Sequence, residues 1–310
     1  MRAAAIDVGT NTTLALLAEN STDGLVTIKD QITPNQLGES LKASPVLPLE
    51  IIALNVDLLN EIIRDYRRYG AEAIAICATA AMRRAQNRGD FTNAVREILG
   101  VDVEVLSGRD EASLTYMGGI SGHEIYPNEH VGVIDVGGGS TEVIEGRGTT
   151  PVQSSSLDIG AVYLTNEFFQ ADPPPPESVI ELRNSLRNRL PLLLNAMPRE
   201  QMPWILVGGT PVTLAMLKRG LRRYDPQAVG GSAMSRDDVE RFVVQFSGRH
   251  SDELQSLPGM PLTRGRYIFA GTLLLSELMA TLNIADAVVS ERGLRHGFWL
   301  TKFGNVRKQA

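Results

Sequence analysis

Two stretches of this chain carry chemistry-bearing residues at matched spacing. Ile6-Asp7-Val8-Gly9-Thr10-Asn11-Thr12-Thr13 returns later as Ile134-Asp135-Val136-Gly137-Gly138-Gly139-Ser140-Thr141. A phosphate group needs backbone N–H donors at close range, and side chains larger than glycine or serine block that approach. Gly137, Gly138 and Gly139 offer three positions without side chains, followed by the hydroxyls of Ser140 and Thr141. Gly9, Thr10, Asn11, Thr12 and Thr13 offer one glycine and four small polar residues. A third turn, Gly208-Gly209-Thr210, has the same character. The acids heading the first two loops, Asp7 and Asp135, repel a bare phosphate. They make sense as holders of Mg²⁺, with Mn²⁺ as a substitute, bridging to phosphate oxygens. Asp-Val-Gly as a plain tight turn is the competing reading for one copy, and it loses force when three such turns occur together.

The elements that must position these loops follow from the flanking residues. An apolar stretch precedes each Asp-Val-Gly, and Leu14–Ala18 or Val143–Ile144 follows it, which is a hairpin pattern. Two such hairpins predict two related domains. Between them, Leu49–Tyr69 reads as a long amphipathic helix, with Ile51, Ile52, Leu54, Leu58, Leu59, Ile62 and Ile63 on its apolar side. Ala73–Ala78 reads as a buried strand. Asp90 is placed as the cap of a helix closed by Gly100. Val101, Val103 and Val105 alternate as a strand, and Ser107-Gly108-Arg109-Asp110 opens a further helix through Met117. The boundary is placed in Gly118–Gly122, giving an N-terminal domain over 1–122 and a C-terminal domain over 123–310, with a terminal helix from about residue 298 packing back on the first. Trp204–Val207 is a predicted strand, and Pro211 is expected just inside the helix that follows. Mixed α/β with two similar halves is the predicted fold class.

Further along, the match becomes specific. Besides the loops, the markers are Ala78-Thr79-Ala80-Ala81-Met82-Arg83, Ser107-Gly108-Arg109-Asp110-Glu111-Ala112, Leu157-Asp158-Ile159-Gly160-Ala161-Val162, Asp172-Pro173-Pro174 and Glu291-Arg292-Gly293-Leu294-Arg295. In this order they resemble the exopolyphosphatase and guanosine pentaphosphate phosphohydrolase (Ppx/GppA) family in its short two-domain form. That family lies within the acetate kinase, sugar kinase, chaperone ATPase and actin superfamily. The resemblance covers nearly the whole chain. It implies two actin-like, ribonuclease H-like α/β domains with an interdomain cleft that grips phosphates. It also implies Glu111 as the base that activates water, where a helix N-terminus favours the ionised carboxylate. Glu142 corresponds to a second carboxylate, able to share the metal with Asp135. Arg83 follows a strand end and a small-residue loop, where it can reach a phosphate oxygen in bidentate fashion. The expected catalytic set is therefore Glu111, Asp135 and Glu142, and the metal set is Asp7, Asp135 and Glu142. The expected phosphate set comprises Gly9 to Thr12, Arg83, Gly137 to Thr141 and Gly208 to Thr210. Three positions depart from the family: Gln36 and Tyr163 stand where arginines are expected, and Gly230 where a histidine is common.

Composition narrows the partners. The net charge of -6 provides no global basic field for nucleic acid, and the apolar runs are too short for a membrane span. A single cysteine, Cys77, excludes a disulfide framework, and the motif beginning at Ile6 leaves no room for a signal peptide, so a cytoplasmic location is expected. The expected activity is Mg²⁺-dependent hydrolysis of the terminal phosphate of polyphosphate. The alternatives are guanosine pentaphosphate 5′-phosphohydrolysis, as in the stringent response, and a non-catalytic polyphosphate or alarmone sensor. A small-molecule kinase is disfavoured by the hydrolase-type Glu111 helix and the lack of a sugar-binding insertion. A homodimer with no nucleic-acid or membrane partner completes the expectation. Basic runs such as Lys218-Arg219 are read first as solvated, and second as an extended track for a phosphate chain.

Overall fold

The structure is a computed structural model that describes residues 1–21, 24–42, 44–124, 128–195, 197 and 202–304. Its chain divides into two compact units, one formed by Met1–Gly118 with Leu294–Ala310, the other by Gly119–Gly293. The division falls inside the helix Gly108–Ile120, which runs through Gly118 and Gly119 instead of ending there. The expected boundary at residue 122 is thus earlier, and the last helix, Leu294–Phe303, belongs to the first unit. It packs there because Trp299, Phe298 and Leu294 are buried with Ala3, Ala5 and Leu16, and the Trp299 indole donates to the Ala3 carbonyl at 2.8 Å.

The first unit holds β1 (Arg2–Val8), β2 (Thr12–Ser21), β3 (Gly24–Pro34), β4 (Ala73–Ala78) and β5 (Val103–Val105), in the order β3-β2-β1-β4-β5. β1 to β3 form an antiparallel meander, and β4 and β5 add parallel to β1. The crossover to β4 runs through the helix Leu49–Arg68, which buries Ile52, Val56, Leu59, Ile62, Ile63 and Tyr66 at helical spacing. Leu54, expected on that apolar side, is instead 43% exposed. The helix Arg88–Leu99 has Asn87 in its cap position, so Asp90 sits in its first turn. Gly100 closes it in the left-handed conformation.

The second unit repeats the plan with β6 (His130–Val136), β7 (Thr141–Arg147), β8 (Thr150–Leu157), β9 (Trp204–Val207), β10 (Ser232–Ser235) and β11 (Asp286–Val289), in the order β10-β11-β9-β6-β7-β8. Again a meander, β6 to β8, is followed by parallel β9 and β11. Its core is the helix Ile268–Thr281, buried on nearly every face. The helix after β9 begins at Gly209, earlier than expected, so the glycine turn is itself the first helical turn. Each unit is an α/β layer structure of the predicted class. No helix among the described residues is long and apolar enough to cross a membrane.

One marker arginine proves structural. Arg295 grips Asp30 through Nε at 2.9 Å and Nη2 at 2.6 Å, with both side chains largely buried. Beside them the Tyr66 phenol is pushed above its usual range, first by burial and then by Asp30, and it donates to the Ala15 carbonyl. Removing one partner of a buried pair leaves an uncompensated charge. Asp30→Asn should therefore destabilise this unit by about 3–5 kcal/mol. Urea unfolding followed by Trp299 fluorescence in a Trp204→Phe background checks this, and an unmoved midpoint would show that the pair holds nothing together.

Candidate active site

In the first unit, register sets three chain segments side by side. Asp7 stands opposite Cys77 on β4 and Leu14 on β2, and Ala78 stands opposite Val105 on β5. The carboxyl ends of β1, β4 and β5 therefore emerge together, the customary place for sites in α/β sheets. From β1 comes the Gly9–Thr12 turn, closed by the Gly9 amide donating to the Thr12 carbonyl at 3.0 Å. A Cβ at Gly9 would lie 3.0 Å from that same carbonyl oxygen, so the turn admits little else. Outward carbonyls are taken up from behind. Asn35 donates its side-chain amide to Gly9 O and its backbone amide to Asn11 O, and Gly38 donates to Thr10 O. Among the described residues the amides of Thr10 and Asn11 donate no backbone hydrogen bond. From β4 comes the short helix Ala80–Arg84, and from β5 the helix Gly108–Ile120, whose first turn holds Glu111. Ser107 caps that turn reciprocally with Asp110, and Glu111 is only 6% exposed. Arg83 donates to the Glu111 carboxylate and to the Leu106 carbonyl.

The second unit builds the matching turn. The Gly137 amide donates to Ser140 O at 3.1 Å, and a Cβ at Gly137 would lie 2.8 Å from that oxygen. Here the carbonyls are absorbed by a helix N-terminus: Ala161 donates to Gly137 O, and Val162 and Tyr163 donate to Gly138 O. Only glycine fits at position 160, because a Cβ there would lie 2.4 Å from Gly138 O. With its carbonyls so occupied, the loop keeps the amides of Gly138, Gly139 and Ser140 out of backbone hydrogen bonds among the described residues. That is an anion nest. Asp135 and Glu142 are direct cross-strand partners, so their carboxylates share one face of the sheet, and Ser156 donates to Glu142 Oε1 at 2.8 Å. Asp135 also stands opposite Val207, which brings the third turn alongside. A Cβ at Gly208, which has φ 94°, would lie 2.3 Å from Asp135 Oδ1.

Like charges placed directly opposite on a sheet repel. Two hard oxygen donors so placed fit a Mg²⁺ that keeps water and phosphate as its other ligands. No group of three or more His, Cys, Asp or Glu that could hold a metal occurs among the described residues, so any metal would depend on such shared ligation. Asp7 has no second carboxylate across its hairpin, since Leu14 occupies that place.

Several expected contacts are redirected. Thr141 and Thr210 are fully buried. Thr141 Oγ1 donates to the Ile159 carbonyl, and Thr210 Oγ1 packs where a Cβ at Gly271 would be, 2.5 Å away. Both positions can offer a ligand only their backbone. Lys218 is held by Ala233 O and Asp238, which removes it from any phosphate-chain track. At Tyr163 the phenol is raised by burial and then by a hydrogen bond with Glu167. Gln36 is exposed in a left-handed turn. At Gly230 the space for a side chain is taken by the Glu291 carboxylate, 2.5 Å from a built Cβ, so the absent histidine is replaced by an acid from a neighbouring strand end. Sequence reasoning missed Arg264. Its guanidinium lies directly over Gly209, with Nη2 2.0 Å from where a Cβ would be, and no carboxylate pairs with it among the described residues. The only signal was a basic Arg-Gly-Arg step ahead of a buried helix.

Comparison with known proteins gives a consistent picture. Residues 17–305 match the model described as the Ppx/GppA phosphatase family. The chain is 29% identical to exopolyphosphatase 2 of Mycobacterium tuberculosis, over 98% of this chain and 99% of that protein. It is 33% identical to an uncharacterised protein of Streptomyces coelicolor, over 97% and 90%. The crystal structure of the Aquifex aeolicus member of the Ppx/GppA family superposes with a TM-score of 0.83 at 28% identity, covering 97% of each chain.

The Gly208 contact yields a direct test. Gly208→Ala places a methyl group against Asp135 and strains a positive φ. Because misplacing a reacting group by about 1 Å costs on the order of 100-fold, turnover should fall by about that factor while the variant stays folded by circular dichroism. Unchanged turnover would place Asp135 outside the reaction.

Proposed function

This chain belongs to the Ppx/GppA phosphatase family, and on that premise we propose that it hydrolyses the terminal phosphate of inorganic polyphosphate. The family and its exopolyphosphatase relatives make it a phosphoanhydride hydrolase. The choice of substrate is the proposal. Its main support is the second-unit loop, where consecutive unbonded amides stand beside a cross-strand carboxylate pair. Such a loop suits a substrate that is phosphate throughout and needs no base recognition.

In this reading the amides of Gly138, Gly139 and Ser140 cradle phosphate oxygens in the second unit, and the amides of Thr10 and Asn11 are the matching donors of the first. Arg264 adds positive charge at the Gly208-Gly209 turn. Asp135 and Glu142 would hold Mg²⁺, and Asp7 is the corresponding carboxylate of the first unit. The ion supplies charge neutralisation on the phosphates when bound. Glu111 takes the proton from the attacking water as that water adds to the terminal phosphorus and the next phosphate leaves. Buried at the first turn of a capped helix, its carboxylate is fixed in place and does not have to be ordered for each turnover. Phosphate release from long-chain polyphosphate, guanosine pentaphosphate and ATP, measured side by side, tests the substrate. Faster release from guanosine pentaphosphate would move the assignment to that nucleotide.

Glu111→Gln keeps the shape and cannot accept a proton, so kcat should drop by about two to four powers of ten with little change in KM. Near-normal turnover would return Glu111 to complementing the helix dipole. For the metal, Asp135→Asn should raise the Mg²⁺ concentration giving half-maximal activity, read from a titration after chelator treatment. Full activity in excess chelator would count against a carboxylate-held ion.

A further inference from the structure

We propose that Arg83 works through Glu111, as the residue that positions its carboxylate, and is not a phosphate contact. The inference rests on Glu111 being the base. The geometry begins with the sheet. β4 and β5 run parallel with Ala78 opposite Val105, and Leu106 donates to Ala78 O at 2.9 Å. That register brings the helix after β4, carrying Arg83, against the segment that leads from β5 to Glu111. The guanidinium uses one nitrogen for two partners: Nη1 donates to Leu106 O at 3.2 Å and to Glu111 Oε2. Its two hydrogens are thereby assigned, one to the backbone immediately before the Glu111 helix and one to the carboxylate at its first turn. One guanidinium nitrogen tied at both ends, on a rigid planar group, restrains the Glu111 carboxylate against the backbone that precedes its helix.

Nη2 of Arg83 is buried and has no hydrogen-bond partner among the described residues. With Nη1 committed to Glu111 and Leu106 and Nη2 enclosed, the geometry favours the carboxylate over a bidentate phosphate grip. The pair also sits in partly dry surroundings, with Arg83 21% and Glu111 8% exposed at the side chain. Desolvating two charges returns little or no net stability, so stability alone does not account for the pair. Holding a base in one orientation does, because orientation is where a carboxylate weakened by a helix N-terminus must gain its effect.

A double-mutant cycle separates positioning from phosphate binding. Arg83→Ala should lower kcat on polyphosphate on the order of 10- to 100-fold and leave KM within about threefold. In a Glu111→Gln background the same change should cost less than about threefold further, because the group it positions no longer accepts a proton. Arg83→Lys retains charge without the fork and should fall between. It also runs the same cycle should the alanine variant fail to fold. A raised KM with kcat held, or an equal loss in both backgrounds, would overturn the proposal and make Arg83 a substrate contact. The single Glu111→Gln arm reports on the base itself. If that variant keeps its turnover, the base assignment fails with the positioning role, whereas a dead Glu111→Gln with additive Arg83 losses sinks only the latter.

Discussion

Everything at the candidate site depends on strand register. Asp135 is useful only because β6 sets it opposite Glu142 on one side and Val207 on the other. A slip of one residue between β6 and β7 would turn every side chain of one strand to the opposite face, parting the two carboxylates. A slip between β6 and β9 would carry Gly208 away from Asp135 and spoil the fit that only glycine allows. The register is held by apolar residues that have nothing to do with phosphate: Ile134, Val136, Val143 and Leu206 are buried in the same core. The chemistry is therefore anchored by packing, and the loops are short enough to inherit the precision of the strands.

Placing two carboxylates face to face costs stability in the absence of a cation. The fold accepts that cost at one end of one hairpin and surrounds it with compensation. Ser156 donates to Glu142 from the adjoining strand, and the Gly138 and Gly137 carbonyls are turned into the amides of the helix Ala161–Phe168. The second arrangement matters as much as the first. Had those carbonyls faced the carboxylates, the loop would present an acceptor-lined surface with no affinity for phosphate. The marker around Gly160 thus serves to aim peptide dipoles, which is why a residue so far from any side-chain chemistry carries a steric demand as severe as that of the loop glycines.

The hairpins, the long helix and the strand Ala73–Ala78 were legible because their signals are local: period, glycine turns and a repeated eight-residue pattern. Assigning Glu111 as the base rests on resemblance alone, since a first-turn glutamate looks the same whether or not it accepts protons. What escaped was decided by packing between distant segments. Nothing in the sequence says that Thr141 turns to Ile159, that Lys218 caps onto Asp238, or that Arg264 lies on Gly209. Arg83 and Glu111 were both singled out, yet with separate tasks, because their meeting depends on the β4–β5 register. The departure at Gly230 likewise gave no hint that the space of a side chain there is filled by Glu291.

The two hairpins share a turn but not a task, and the differences follow from single positions. Where the second unit has Glu142 opposite its acid, the first has Leu14. Cys77 and Val207 are the residues standing opposite Asp7 and Asp135 on the parallel neighbour strand. Counting on from them, the place held by Arg83 in the first unit is held by Thr213 in the second. Thr213 is buried and spends its hydroxyl on the Gly209 carbonyl within its own helix. The first unit also carries the glutamate that the arginine reaches. One scaffold, used twice, thus concentrates paired carboxylates in the second copy and an arginine-held carboxylate in the first. Duplication of a fold preserves where a loop emerges. What that loop does is then set by the few side chains that the shared register places next to it.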